Sequence, residues 1–257
     1  MMFDIVLPLS ISLISLISLF TFSKYGDRIE SLFGERKLQL HEVVLIVILL
    51  SVVVTLIIFL PDLAIKIAVI GAHSLLQFIF LDTVTSNRYI ALSIPAIFVI
   101  SYIFFWNNIL LNLFASLTII GVTLISSILF TWRIAAIFTA LLTVMDFTHV
   151  FITRSMVAST SKMTGLELPI AIILPTFPIS GSILLGLGDL FLSGLLTIQT
   201  FKKYGLKSSI ISAIFISAFF FIAETLFFTF EVKFFPATLV IAAGWATSLL
   251  MSHKLRS

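Results

Sequence analysis

The chain has 257 residues, 60% of them hydrophobic and 11% charged, with no cysteine and a formal net charge of +3. A soluble domain uses about 25% charged residues to cover its surface, so most of this surface must face lipid. Disulfides, thiolate metal sites and thiol nucleophiles are excluded, and the absence of any basic run leaves no nucleic-acid partner.

Apolar stretches near the length that crosses a bilayer, about 20 residues, predict helices at 3–22, 43–60, 63–82, 89–106, 109–131, 134–152, 178–200, 208–230 and 234–252. The first does not read as a cleavable leader, because Asp4 stands where a basic segment is expected and no small-x-small site precedes the charged segment. It reads as a retained helix. A polar stretch, SKYGDRIESLFGERKLQLHE (23–42), separates it from the second. The third carries Lys66, His73 and Gln77, and Trp106-Asn107-Asn108 divides the fourth from the fifth. His73, Gln77 and Asn112 read as interhelical hydrogen-bonders. The second polar stretch, TRSMVASTSKMTGLEL (153–168), is too short for a soluble domain. The reading is a single all-α, polytopic transmembrane domain, 1–257, of about nine helices. A six-helix part (1–152) and a three-helix part (178–257) flank a connecting loop (153–177).

The segment ELPIAIILPTFPIS (167–180) is unusual. Pro169, Pro175 and Pro178 discourage helix, while the β-branched Ile170, Ile172 and Ile173 favour extended chain. It reads either as a strand to which another chain can add or as a proline-bounded start of the seventh helix.

Lys and Arg are unevenly shared. Eleven fall on one side of these spans and four (Lys66, Arg154, Lys162 and Lys233) on the other. The positive-inside rule makes the richer side cytoplasmic. The N-terminus and the 153–168 loop are then outside a cell membrane, and the C-terminus inside.

Three acids fall well within the predicted helices: Asp146, Asp189 and Glu224. An intramembrane charge costs roughly 2.5–3.5 kcal/mol on insertion scales. Asp146 and Asp189 lie on consecutive, antiparallel helices, about 9 Å and about 16 Å from the outer face at the helical rise. Shifting each boundary by about three residues brings them level. Two carboxylates in contact at low dielectric cannot both ionise; they share a proton and titrate as a pair. That is the chemistry of aspartyl proteolysis, in which the two exchange acid and base roles. Gly186 and Gly188 remove side chains beside Asp189, which admits a substrate backbone or simply close helix packing. Pro236 lacks an amide hydrogen, and it reads either as exposing backbone acceptors near the pair or as a plain first-turn proline. His149 reads as a tuner of the pair or as a loop-facing, hydrogen-bonded histidine. Glu224 reads as an acid paired with Lys66 or a backbone group.

Gly186-Leu187-Gly188-Asp189 resembles the GxGD signature of the presenilin and signal peptide peptidase family of intramembrane aspartyl proteases. That family carries Tyr-Asp on its sixth helix, GxGD on its seventh and Pro-Ala-Leu at the start of its ninth. Here the sixth span carries Met145-Asp146, and the ninth opens on Pro236-Ala237-Thr238-Leu239. The order and helix count are similar along essentially the whole chain, and the short loop between the Asp helices resembles the compact archaeal members. Met145 stands in place of the family Tyr, and Thr238 displaces the Leu by one residue.

The resemblance implies a presenilin-like fold, catalytic Asp146 and Asp189, and a supporting role for Met145, Gly186, Leu187, Gly188, Pro236, Ala237, Thr238 and Leu239. It implies substrates that are transmembrane helices or signal-peptide remnants, no cofactor, no metal and no maturation cleavage in the loop. The orientation read from the charges resembles signal peptide peptidases, with presenilins inverted. Oligomeric state is open. No His/Cys/Asp/Glu cluster has metal-ligand spacing, and no GxSxG elbow supports a serine hydrolase. Two alternatives remain: a prepilin or preflagellin type of GxGD peptidase, and a proton-coupled transporter whose relay is Asp146, Asp189 and Glu224.

Overall fold

A computed structural model describes residues 3–33, 36–153, 155–178, 180–230 and 235–254. Arg154, Lys233 and Arg256, counted in the charge distribution, lie outside the described residues. The chain runs α1 (Val6–Phe33), α2 (Leu40–Leu56), α3 (Asp62–Thr85), α4 (Arg88–Phe104), α5 (Asn108–Leu129) and α6 (Trp132–Phe147). A π-helical turn (Thr148–Ile152) extends α6, and α7 (Ser155–Gly165) follows. Next come β1 (Ala171–Pro175), β2 (Ser182–Gly186), α8 (Leu187–Tyr204), α9 (Leu206–Phe230) and α10 (Ala237–Lys254).

This is a membrane-embedded helical protein. Among the described residues, five helices are long and apolar enough to cross a bilayer: Val6–Ser31, Asp62–Thr85, Asn108–Leu129, Trp132–Ile152 and Leu206–Phe230. Leu40–Leu56, Arg88–Phe104 and Ala237–Met251 are shorter apolar helices. Their outer faces expose Leu, Ile and Phe, as Leu45, Ile48 and Leu49 do on α2, which in water would be a large unpartnered apolar surface.

The boundaries follow local chemistry. Asn107 caps α5 by accepting from the Ile109 and Leu110 amides, both at 3.0 Å, so Trp106-Asn107-Asn108 does divide two helices. Ser86, at φ 55°, ends α3, and Asn87 caps α4 through the Tyr89 amide. Asp4 accepts from Val6 and Leu7 at the start of α1. Against the expectation of a helix ending at 22, α1 continues to Phe33 through SKYGDRIESLF, because nothing there breaks a helix.

α8 is the hub. It packs against α1, α5, α6, α9 and α10, and every residue from Leu192 to Thr200 is buried. Because protein surrounds it, its polar groups find protein partners. Ser193 bonds Ser15, Gln199 reaches the Ser127 and Phe130 carbonyls, and Thr200 accepts from Trp245. Glycine sets the close approach of α9 and α10: a Cβ on Gly244 would lie 2.8 Å from the Ile216 Cα.

The largest departure from expectation lies before α8. Pro178 and residues 180–186 are not the first turns of the seventh helix. Ser182–Gly186 is β2, paired antiparallel with β1 in the register Ala171↔Gly186 to Pro175↔Ser182. The connecting loop contains α7 and β1. A short apolar run such as SILLG suits strand or helix equally on local grounds, and pairing with β1 decides it.

Candidate functional site

Asp146 sits in the last turn of α6 and is 3% exposed. The start of α10 comes to it: Thr238 Oγ1 donates to Asp146 Oδ2 at 2.8 Å. Asp146 Oδ1 is buried with no partner among the described residues. Asp189, in the first turn of α8, lies within electrostatic range of Asp146. The two carboxylates line one cavity of about 500 Å³. Met145, Leu187, Gly188 and Thr238 line the same cavity, with apolar walls that include Ile46, Leu50, Phe138 and Phe191. The helices carrying the two acids thus bring them to one site.

The other supporting residues divide. Gly186 and Gly188 do different things. A Cβ on Gly186 would lie 3.1 Å from Asp189 Oδ2, whereas one on Gly188 would meet nothing within 4 Å. Gly186 therefore makes room for the Asp189 carboxylate itself, and Gly188 leaves open the cavity wall. Pro236 is buried immediately before α10, with its carbonyl accepting from Leu239. Ala237 lines a second cavity beside Asp189. Leu239 is 45% exposed and turns away from the pair.

That second cavity, of about 360 Å³, lies between β2, α9, α10 and the start of α1, and Asp189 borders it too. Glu224 is on its wall. Both Glu224 carboxylate oxygens are buried and have no partner among the described residues, so the expected pairing with Lys66 or a backbone group does not form. Lys66 is on α3, whose main packing partners are α4 and α5, whereas α9 packs chiefly on α10, α8 and α1. Neighbours in a many-helix fold are not readable from the spacing of two residues.

His149, read as a tuner or a loop-facing residue, is 5% exposed in the π-turn. It bonds Ser51 on α2 at 2.6 Å and Ser155 at the start of α7, and it lies within electrostatic range of Asp146. His73 bonds the Pro169 carbonyl and Gln77 bonds Thr118, so both tie α3 to its neighbours. Among the described residues, no three His, Cys, Asp or Glu side chains gather to hold a metal ion.

The hairpin edges are unequal. The Asn112 side chain takes both main-chain groups of Ile173, each at 2.7 Å, so that residue faces away from β2. Leu187 donates to the Ile170 carbonyl and Thr176 to the Gly181 carbonyl, both at 3.1 Å. By the alternation of antiparallel ladders, Ile172–Leu185 and Leu174–Ile183 exchange the interstrand bonds, and Leu184 faces outward like Ile173. Among the described residues the sheet has two strands, so the main-chain groups of Ser182 and Leu184 and the amide of Gly186, whose carbonyl caps α8, lie on an edge that no strand pairs and that leads to Asp189. Sequence reasoning missed this edge and the role of Asn112, for which it holds no local signal.

No protein-family model matches the chain, and no curated protein does so at a significant level.

Proposed function

We propose that the protein is an intramembrane aspartyl endopeptidase in which Asp146 and Asp189 are the catalytic pair. The observation that carries this reading is the convergence of two acids, from different helices, on one apolar cavity next to an open strand edge.

The reaction follows from that arrangement. One carboxylate takes a proton from water while the water oxygen bonds to the scissile carbonyl carbon. The other, protonated, carboxyl gives its proton to the carbonyl oxygen. The resulting gem-diol collapses as the newly protonated carboxyl gives its proton to the amide nitrogen, the C–N bond breaks, and the other carboxylate takes a hydroxyl proton from the gem-diol as C=O re-forms, so the pair again holds one shared proton. Thr238 positions Asp146. Inside lipid, a substrate helix hides its peptide bonds in its own hydrogen bonds, so it must unwind before cleavage. The outward edge of β2 offers the freed backbone new partners by strand addition. The Asn112 amide already occupies β1 at Ile173, which directs addition to β2, not to the 167–180 segment.

The nine-crossing topology belongs to the same proposal. α8 is less apolar than its neighbours because protein, not lipid, surrounds it. The basic-residue count places the N-terminus and α7 outside and the C-terminus in the cytoplasm, an arrangement that favours N-in substrates such as signal-peptide remnants. Because the chain has no cysteine, single-cysteine variants report sidedness cleanly. Ser161→Cys should react with an impermeant maleimide from outside and Ser86→Cys only from the cytoplasm. The opposite pattern overturns the orientation.

The test of activity uses proteoliposomes holding a helical test substrate with wild type, Asp146→Asn and Asp189→Asn. Cleavage by wild type and its loss in both variants is the expected result; cleavage retained in either refutes the pair. One observation favours a second reading: Asp189 borders both cavities, so Asp146, Asp189 and Glu224 border adjoining spaces. A proton relay would use that string. Substrate-independent proton flux through the same liposomes, lost in Asp189→Asn, would establish it instead.

A further inference from the structure

The cavity between β2, α9 and α10 has a chemistry that peptide-bond cleavage does not require. Glu224 is 6% exposed and lines it with both oxygens unpartnered among the described residues. Phe220, Phe227 and Phe228 lie four before, three after and four after Glu224, on the same face of α9, and all three line the cavity. Phe235 packs on Phe227 with ring centroids 4.5 Å apart. Asp189 supplies a second carboxyl to the wall, and no Lys, Arg or His among the described residues lines it. Asp4 lies within electrostatic range of Glu224, but its own oxygens are taken by the Val6, Leu7 and Phe177 amides. It therefore adds negative field without offering an acceptor.

The site thus pairs aromatic faces with a carboxyl group that has no donor among the described residues. An apolar side chain seated there would leave a buried acceptor unpaired, which is the costly case. A side chain with an aliphatic stem and a cationic N–H head satisfies both parts, since its stem lies against the phenyl rings and its head meets the carboxylate.

We propose that this cavity is a substrate subsite for a lysine or arginine side chain, with Glu224 as its acceptor and Phe220, Phe227, Phe228 and Phe235 as its walls. This rests on the peptidase reading above. Leu184 links the two, because it borders the cavity and presents its main chain on the open edge of β2. A strand seated on that edge carries one set of alternate side chains over the cavity, within a few residues of the bond held at Asp189.

The experiment is a scan. Helical test peptides carry a single lysine, or norleucine, at each position around the cut site, and are compared in proteoliposomes with wild type and Glu224→Gln. At one position wild type should cleave the lysine peptide at least about tenfold better in kcat/KM than its norleucine partner, and Glu224→Gln should bring that ratio to about one. Reading a ratio within each enzyme removes any general loss of activity. A wild type that cleaves norleucine peptides but shows no lysine preference anywhere overturns the subsite alone. A preference that survives in Glu224→Gln does the same. Failure of wild type to cleave any peptide overturns the peptidase reading, and the subsite with it.

Discussion

Replacing Thr238 by valine keeps the side-chain shape and removes one hydroxyl. In the structure that hydroxyl donates to Asp146 Oδ2 at 2.8 Å in a buried setting. Hydrogen bonds to charged groups contribute about 1.5–3 kcal/mol, and each 1.4 kcal/mol is about a factor of ten in rate. If Thr238 positions Asp146 for catalysis, Thr238→Val should lower kcat by roughly 10- to 150-fold on those figures. KM should change little, because the strand-addition proposal seats substrate on the β2 edge and Thr238 lies on α10. Thr238→Ser keeps the donor and should recover most of the rate. The assay is steady-state cleavage in proteoliposomes, with thermal unfolding measured on each variant to separate catalysis from folding. A Thr238→Val enzyme with wild-type kcat would refute the argument, as would a Thr238→Ser enzyme no better than valine.

Other outcomes follow from the same geometry. Leu184→Pro removes an outward amide without touching the β1–β2 bonds, so it should cost substrate about one hydrogen bond, 0.5–1.5 kcal/mol, beyond the loss in Leu184→Ala; equal activity of the two variants counts against strand addition on β2. Ile172→Pro, by contrast, removes an amide that the ladder alternation directs to β2, and it should lower thermal stability as well as cleavage. Gly186→Ala should displace the Asp189 carboxylate and depress kcat with an unchanged melting temperature, whereas Gly188→Ala should act on KM, since its methyl faces open cavity. An unchanged kcat in Gly186→Ala would show that the carboxylate tolerates the contact. Gly244→Leu drives a side chain into the Ile216 backbone and should destabilise the α9–α10 pair by about 1–3 kcal/mol; a melting temperature equal to wild type would contradict the packing.

Much of this protein was legible without coordinates. Apolar runs of bilayer length report lipid exposure one segment at a time, so each predicted span coincides with a helix in at least most of its length. The acids stand out for the same reason, since Asp146, Asp189 and Glu224 interrupt apolar surroundings that make any charge conspicuous. Asn107 and Asn87 divide their helices through bonds to residues two and three positions away, which the chain order already contains.

The tertiary structure decided what depends on neighbours distant in the chain. SILLG becomes β2, not the first turns of α8, because Ala171–Pro175 is there to pair with it. β1 is closed on its outer side because Asn112 arrives from another helix. Thr238, a departure from the Pro-Ala-Leu pattern, proves to be the group that holds Asp146, and Glu224 lines a cavity with Asp189, not a contact with Lys66. Hydrophobicity and capping act over a few residues and can be read locally. Partner choice among ten packed helices and a hairpin is set by how all of them fit at once.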